Sequence, residues 1–328
     1  MSNISKQLTG VVILLLSVQR APADRSIGFY YIYQNDPMLL AFNPDGEVFY
    51  NCGGSSYLRA STVDSNVLWS VSVGGCQQNP GTVTKDGSTL YVGLRQTTAI
   101  NTTDGSVLWA STTVVGGPHA LSPAEDVLYV VSDGAVAAVS TVDGATIWEQ
   151  VNSSFSFNLN GHLPLLRDGS AFFAGTNDGT VYAFSTTDGS ILWQNRADDV
   201  VGKISKAGTL SNDGTVVYFS SSALTSSQSD GMLCAVNTTD GTIVWSAQFD
   251  QEFSHIPVVS PDGDMLYTGS MSSRVYGINT TDGSTVWRTS KVGTFKNDGE
   301  LSGDGTLFLI GVAGTGSWGS SARYGTLY

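Results

Sequence analysis

Three histidines are the side chains of this sequence best suited to proton transfer or metal binding, and they recur in equivalent surroundings. His119, His162 and His255 stand in the segments GPHAL, NGHLP and SHIPV, each just ahead of a short apolar run. Imidazole titrates near neutral pH and is a common zinc ligand. Whether the three act together depends on the elements that carry them.

The element behind each histidine belongs to a motif that occurs seven times. Each copy has an apolar flank, a turn built on Asp-Gly or a near equivalent, and a β-branched or aromatic flank: FNPDGEVFY, VTKDGSTLY, LSPAEDVLY, LLRDGSAFF, LSNDGTVVY, VSPDGDMLY and LSGDGTLFL. Such a pattern is the strongest short-range signal for a β-hairpin. We predict that it forms the first two strands, A and B, of a repeated unit.

A second motif follows the first six times and ends in tryptophan. Its copies are RASTVDSNVLW, AINTTDGSVLW, AVSTVDGATIW, AFSTTDGSILW, AVNTTDGTIVW and GINTTDGSTVW, which end at Trp69, Trp109, Trp148, Trp193, Trp245 and Trp287. Successive tryptophans lie 39 to 52 residues apart, the period of a four-stranded propeller blade. This motif supplies strands C and D, so the sequence predicts an all-β propeller of antiparallel blades.

The tryptophan motif has the residues that a tight connection between strands requires. The glycine tolerates a positive φ where the chain reverses, and the tryptophan offers a large rigid face that can pack on the neighbouring blade. We therefore expect a docking role for these tryptophans and for the glycines Gly105, Gly144, Gly189, Gly241 and Gly283.

The repeat count leaves the last unit incomplete, with seven A-B motifs but six tryptophan motifs. The chain ends in ARYGTLY (322–328), which resembles an opening strand C, and IGFYYIY (27–33) is rich in strand-forming residues. We predict a single domain over residues 24–328, a seven-bladed propeller whose ring is closed by this N-terminal strand.

The N-terminus reads as a secretory signal peptide over residues 1–23. Lys6 precedes the apolar run LTGVVILLLSV (8–18), and Ala21-Pro22-Ala23 fits a cleavage site. A retained anchor is the alternative, although the run is shorter than the roughly 18 residues that span a bilayer. We therefore expect a secreted or extracytoplasmic protein without a membrane span after cleavage, in which Cys52 and Cys76 are candidates for a disulfide.

The tryptophan segments resemble the docking motif of the pyrroloquinoline quinone (PQQ) repeat family of quinoprotein-like propellers. That motif reads Ala-x-Asp-x-x-Thr-Gly-Lys-x-x-Trp; Ala99, Gly105 and Trp109 match it, while Asn101 and Asp104 replace its Asp and Thr. The catalytic members hold calcium-bound PQQ and often have a disulfide of adjacent cysteines, a pair that this sequence lacks. The resemblance is to the noncatalytic branch, which includes outer-membrane assembly propellers and extracellular binding propellers.

Composition narrows the range of partners. The 328 residues carry a formal net charge of −13 with only 15 Lys and Arg, so there is no basic stripe for phosphates. We expect no nucleic-acid binding and a monomeric protein.

In a propeller, strand A lines the central channel, so residues just before strand A meet at its mouth. Asn79, Lys206 and Asn297 occupy places similar to those of His119, His162 and His255, which predicts a polar ring there; the alternative is a set of unrelated loop residues. We expect no metal, because the histidines come from units that are not all adjacent and the channel is expected to be wide. Trp318, in a Gly/Ser-rich loop, is a further ligand-binding candidate.

The sequence leaves two functions open. The first is a noncatalytic scaffold that binds a protein or glycan through the face formed by the B-C and D-A loops, with no cofactor. The alternative is a PQQ-dependent alcohol or sugar oxidoreductase with calcium-bound PQQ at the channel mouth. In a eukaryotic secreted protein, glycans are also predicted at the sequons of Asn101, Asn152, Asn237 and Asn279.

Overall fold

The computed structural model of the chain is built of β-strands. It describes residues 11–17, 25–32, 37–53, 57–62, 66–73, 80–93, 96–111, 117–157, 161–196, 202–204, 206–222, 231–249, 252–253, 255–291, 294–295, 299–301, 307–313 and 325–327. No α-helix occurs in these ranges, and accordingly they contain no helix of the length and apolarity needed to cross a membrane.

The repeat units fold as six consecutive antiparallel sheets, preceded by β1 (Val11–Ser17) and β2 (Arg25–Ile32). Sheet 1 contains β3 (Pro37–Phe42), β4 (Val48–Gly53), β5 (Tyr57–Thr62) and β6 (Val67–Ser72), and sheet 2 contains β7 (Thr82–Val83), β8 (Thr89–Gly93), β9 (Thr97–Asn101) and β10 (Val107–Ala110). Sheet 3 contains β11 (His119–Leu121), β12 (Val127–Ser132), β13 (Ala135–Ser140) and β14 (Thr146–Val151), and sheet 4 contains β15 (Ala171–Gly175), β16 (Thr180–Ser185) and β17 (Ile191–Arg196). Sheet 5 contains β18 (Thr209–Leu210), β19 (Val216–Ser222), β20 (Gly231–Asn237) and β21 (Ile243–Phe249), and sheet 6 contains β22 (Val258–Val259), β23 (Met265–Gly269), β24 (Val275–Asn279) and β25 (Thr285–Arg288). Each unit therefore folds on its own sequence segment, as the repeat predicts.

Five of these sheets have the four strands expected, and sheet 4 has three. Its missing first strand is reduced to one bridge between Leu165 and Phe172. Pro164 precedes Leu165 and has no backbone N–H to donate to a ladder, although its carbonyl still accepts the N–H of Phe173 at 2.9 Å. A proline in strand A thus explains the departure from the predicted four strands.

A seventh sheet, the terminal sheet, combines both ends of the chain. It contains β26 (Thr294–Phe295), β27 (Glu300–Leu301), β28 (Leu307–Ala313) and β29 (Gly325–Leu327) in addition to β1 and β2. The strand order is β26-β28-β1-β2-β29, and β27 also pairs with β28.

This order corrects one expectation. The C-terminal segment does not follow β28 as the third strand; β1 takes that place, and β29 pairs with the far edge of β2. The physical reason is length, because β1 aligns seven residues with β28, from Val11 opposite Ala313 to Ser17 opposite Leu307, whereas β29 has three residues. The run predicted as part of a leader thus occupies a strand position, and its cleavage stays a prediction.

The outermost strand of each of sheets 1 to 6 is bulged at the residue before the tryptophan. There the pairing skips one residue, which leaves a large apolar side chain between 51% and 56% exposed: Leu68, Leu108, Ile147, Leu192, Val244 and Val286. The middle strands are in contrast almost fully buried, as in β15 and β16. The core therefore lies between neighbouring sheets and the apolar bulges lie at its outer rim.

Candidate functional site: the channel mouth and the joints between sheets

His119, at the start of β11, and His162, in the segment before sheet 4, lie together. Their ring centroids are 6.2 Å apart and the planes are nearly perpendicular, and the Leu163 N–H donates to the His119 carbonyl at 3.3 Å. Nδ1 of His162 lies 3.3 Å from the hydroxyl oxygen of Thr82. Since these residues come from sheet 3, the segment before sheet 4, and sheet 2, the cluster connects three units.

His119 is the buried member of this pair. Only 1% of it is exposed, and its Nδ1 lies 3.2 Å from the Gly117 carbonyl oxygen. Its Nε2 is buried and makes no well-aligned hydrogen bond within the described part of the chain. Burial lowers the pKa of His119, while the backbone carbonyls of Gly117 and Tyr91 act in the opposite direction.

His162 is exposed to solvent, although other segments pack closely against its neighbour Gly161. The loss of hydration there, together with the nearby charge of His119, lowers the pKa of His162 to about 4. The two imidazoles are therefore neutral at pH 7, when each can accept one hydrogen bond and donate another. No group of three or more His, Cys, Asp or Glu side chains able to hold a metal ion occurs among the described residues.

Segments that precede different sheets approach one another closely beside His162. Gly161 has a φ of +122°, and a Cβ placed on it would lie 2.2 Å from Cδ1 of Ile256 and 3.0 Å from Cβ of Ala207. The segment before sheet 6 thus reaches the segment that precedes sheet 4, just as Thr82 of sheet 2 reaches His162. Segments from several units are therefore closely packed around Gly161 and His162.

The other candidates of the predicted polar ring do not all join this pair. His255 is buried, with its Nδ1 3.2 Å from the Gly269 carbonyl oxygen and its ring edge-on to Phe295 at 5.4 Å. Lys206 is half-buried, next to Ala207. Asn79, Asn297 and Trp318 lie outside the described residues, so the complete ring stays a prediction.

Five of the six motif tryptophans make the same contact with the following sheet. Each indole Nε1 donates to the carbonyl oxygen of the first threonine in the next TTDG or TVDG turn. The donors and acceptors are Trp69 and Thr102 (2.7 Å), Trp109 and Thr141 (2.8 Å), Trp148 and Thr186 (3.0 Å), Trp193 and Thr238 (2.9 Å), and Trp245 and Thr280 (2.7 Å). We call each such contact a joint.

The glycine of the same turn lies under the indole ring. A Cβ on Gly144, which has a φ of +71°, would be 2.5 Å from Cε3 of Trp109. Equivalent approaches of 2.5 to 2.6 Å occur at the other four glycines predicted to dock: Gly105, Gly189, Gly241 and Gly283. The glycine thus meets two demands, a positive φ and room for the tryptophan.

The threonine of the joint is a functional residue that the sequence patterns did not single out, although it occurs in all six copies of the motif. The Thr102 hydroxyl donates to the Gly87 carbonyl at 2.6 Å, which ties the C-D turn to the A-B turn of the same sheet. Thr141, Thr186, Thr238 and Thr280 make the same bond with carbonyls of their own A-B turns. The threonine therefore joins turns within a sheet with its hydroxyl and neighbouring sheets with its carbonyl.

Trp287, the sixth motif tryptophan, also packs on its own sheet. Its ring lies against Gly277, its partner on the neighbouring strand, where a Cβ would be 2.3 Å from Cε2. The five joints given above lie at the boundaries between consecutive sheets from sheet 1 to sheet 6.

The aspartates and asparagines of the turns bond within the turns themselves. Asp104 accepts the Ser106 N–H at 2.9 Å and its hydroxyl at 2.7 Å, which lowers the pKa of Asp104. The side-chain oxygens of Asn101, Asn152, Asn237 and Asn279 each accept the N–H two residues ahead at 2.7 to 2.9 Å. Glycosylation of these asparagines stays a prediction.

The cysteines fall into two classes. Cys52 is disulfide-bonded, and Cys76, its predicted partner, lies outside the described residues. Cys234 is a free, buried thiol, and burial raises the pKa of Cys234 to about 12. It lines a crevice of about 10 Å³ between sheets 4 and 5, far below the roughly 300 Å³ at which small-molecule sites begin.

Comparison with known proteins agrees with this architecture. The chain matches the model of the family PQQ_2, described as "Outer membrane protein assembly factor BamB", over residues 55–225, 136–300 and 229–322. The crystal structure of BamB from Moraxella catarrhalis is similar with a TM-score of 0.65 and 16% identity, and the match covers 91% of this chain and 98% of that one. A search of curated protein sequences gave no match.

The repeated sheets and their joints define a β-propeller with PQQ-like repeats. The chain belongs to the PQQ_2 family.

Proposed function

We propose that the chain is a noncatalytic propeller scaffold that binds a protein or glycan partner through its loop face, the face formed by the B-C and D-A loops. The observation that carries the proposal is the internal use of the repeated polar residues. Threonines, aspartates and asparagines of the turns bond to their own sheets or to the adjacent joint. The repeated polar residues therefore serve the fold itself. The side chains that vary between units are the ones available to contact a partner.

The described part of the loop face offers such varied side chains. Arg196 and Asp178 face each other at 3.9 Å, and both are more than half exposed. The Asn177 amide donates to the Ser156 hydroxyl at 3.1 Å, whereas its side-chain oxygen is buried without a hydrogen-bond partner among the described residues. The exposed groups of opposite charge suit a partner that carries complementary charges.

We extend the proposal to the ring and to its location. Because the terminal sheet already contains strands from both ends, it would serve as a seventh blade that closes the ring. The family description, that of an outer-membrane assembly factor, supports a noncatalytic role on the extracytoplasmic side of a membrane. Secretion and the identity of the partner are parts of the proposal.

Chemical cross-linking of the protein in the fluid into which it is secreted tests whether the partner binds the loop face. A lysine-reactive cross-linker should join the partner to Lys203, Lys206 or Lys291 and not to Lys85, which lies at an A-B turn on the opposite face. Exchange of Arg196 for Glu should weaken the complex, whereas Arg167→Glu, at an A-B turn, serves as the matched control. Cross-links confined to Lys85 would contradict the proposal.

A PQQ titration separates the scaffold from an oxidoreductase. Tryptophan fluorescence is followed with and without calcium, and dye-linked oxidation of alcohols and sugars is then measured. We expect neither saturation nor turnover. Saturable binding with turnover would replace the scaffold by the enzyme.

A further inference from the structure

Two strands of the terminal sheet run in the same direction on either side of β2. β1 pairs antiparallel with one edge of β2, and β29 pairs antiparallel with the other. β1 also pairs antiparallel with β28. It follows that β28 and β2 share one direction and that β1 and β29 share the opposite one. β29 therefore has the direction that the place between β28 and β2 requires.

β1 holds that place in the full chain because its alignment is longer. It aligns seven residues with β28 and six with β2, whereas β29 aligns three residues with β2. A strand inside a sheet uses its backbone N–H and C=O groups in the ladders on both sides. The longer segment is therefore favoured, and while β1 is present it excludes β29 from this place.

The predicted cleavage site lies in the sequence between β1 and β2. Cleavage after Ala23 falls between Ser17, the last residue of β1, and Arg25, the first residue of β2. It would remove the whole of β1 and leave β2, β28 and β29 in the chain. β28 and β2 would then each present an unpaired edge to the vacated place, and exposed edges of this kind invite pairing with another strand.

β28 keeps its position without β1. Phe308 of β28 is fully buried, and its ring centroid lies 5.8 Å from that of Tyr267 in sheet 6. β26 and β27 pair with β28 on the side away from β1. Direct pairing of β28 with β2 would be parallel, which is slightly less stable per residue than antiparallel pairing. A strand that runs opposite to both is therefore favoured in the vacated place.

The C-terminal segment ARYGTLY (322–328) meets this requirement in direction, length and sequence order. It contains β29, and its seven residues equal the number that β1 aligns with β28. Residues 314–321 separate it from β28, more than the two to five residues that a hairpin needs. In sheets 1, 2, 3, 5 and 6 the strand that follows the second strand in the sequence also lies beside it. The vacated place is thus the strand C position that the repeat predicts for this segment.

We propose that removal of residues 1–23 moves the C-terminal segment from the outer edge of β2 into the place of β1, between β28 and β2. The terminal sheet then has the strand order of sheets 1, 2, 3, 5 and 6, with β2 as the outermost strand. This exchange of strands rests on the predicted cleavage, which is part of the proposed function, and it does not involve the loop face.

The test starts from the full chain with a protease site in place of residues 19–23. The folded protein is cut, the N-terminal fragment is removed in urea with the disulfide of Cys52 kept intact, and the remainder is refolded with or without the fragment. Hydrogen exchange at the β29 amides should be at least about tenfold slower in the protein refolded alone than in the uncut chain, because an inner strand pairs on both sides. Addition of the fragment during refolding should restore the faster exchange.

Two proline variants identify the inner strand in each form, since proline is tolerated at a sheet edge but not in a central strand. In the uncut chain, Leu14→Pro in β1 should lower the urea midpoint more than Thr326→Pro in β29. In the protein without the fragment, Thr326→Pro should lower the midpoint more than it does in the uncut chain. Failure of this variant to refold alone, with recovery when the fragment is added, is the extreme form of the expected result.

Four results would overturn the proposal. These are equal exchange at β29 in both forms, an equal effect of Thr326→Pro in both forms, refolding of the unsubstituted protein only when the fragment is present, and association of the cut protein into dimers in light scattering. The mass of the secreted protein tests the cleavage itself. A secreted protein that retains residues 11–17 would also overturn the proposal, while binding at the loop face could still hold.

Discussion

The joint between sheets 2 and 3 predicts that two similar glycine substitutions have different costs. Gly144 and Gly134 both have positive φ angles, +71° and +82°, and both belong to sheet 3. A Cβ on Gly144 would lie 2.5 Å from the Trp109 ring, whereas one on Gly134 has nothing within 4 Å. Comparison of the two alanine variants therefore separates backbone strain from loss of the joint.

The magnitudes follow from these two contributions. Alanine in the left-handed region costs about 1–2 kcal/mol, which is the expected loss for Gly134→Ala. Gly144→Ala adds overpacking against a ring that is only 8% exposed and held to Thr141 at 2.8 Å. That contribution is about 1–3 kcal/mol, so we expect a total loss of about 2–5 kcal/mol.

Urea unfolding followed by circular dichroism measures both losses, with calorimetry as a test of two-state behaviour. A third comparison isolates the ring. In a Trp109→Ala background, which by itself should cost about 3–5 kcal/mol, Gly144→Ala should cost no more than Gly134→Ala. Equal losses of stability for the two glycine variants in the wild-type background would show that the Trp109 ring moves aside at no cost, and would refute a rigid joint.

Three further predictions concern titration and reactivity. The pKa of Asp86 is lowered to about 2, chiefly by the Thr84 hydroxyl. The ionised carboxylate therefore stabilises the fold above its unfolded pKa near 3.8, and this stabilisation is lost as the pH falls toward 2. Asp86→Asn should make the free energy of unfolding depend less on pH in this window. His162 favours the neutral form, so stability should fall as pH drops from about 6.5 to about 4, and His162→Gln should reduce this slope while His255→Gln serves as the comparison. Cys234, whose pKa is raised to about 12, should resist iodoacetamide at pH 8 in the native protein and react once the protein is unfolded in urea.

Each of these predictions has an outcome that contradicts it. An unchanged acid midpoint in Asp86→Asn would show that the turn hydrogen bonds do not favour the ionised carboxylate. If the pH dependence of stability between pH 6.5 and 4 is unchanged in His162→Gln, desolvation of that ring does not contribute to it. Rapid alkylation of native Cys234 would mean that sheets 4 and 5 separate readily.

The repeat made the fold predictable because its residues act over short distances. Asp-Gly turns, alternating strands and a tryptophan at a fixed place determine each sheet from its own segment. The carbonyl that accepts the tryptophan hydrogen bond was harder to predict from the sequence, because its identity depends on how adjacent sheets pack. The invariant threonine across the six copies was the signal that could have indicated it.

The contacts of His119 and His162 show where prediction from sequence stops. The repeat placed His119 and His162 at equivalent positions, but the contact of His162 with Thr82 crosses between units far apart in the chain, and no local pattern specifies it. The exposed bulges were not predicted, because a pattern of strictly alternating buried and exposed residues does not include a residue that the strand pairing skips. The apolar run 11–17 illustrates a further limit, since a leader and an apolar β-strand can have the same composition.

The joints also bear on how such a chain changes over generations. Sheets 2 to 5 each have both halves of the joint, a turn that accepts an indole and a tryptophan that docks on the next turn. A duplicated or deleted internal unit would therefore meet compatible neighbours on both sides. Recombination between units can thus alter the exposed loops while every boundary between these sheets keeps the same chemistry.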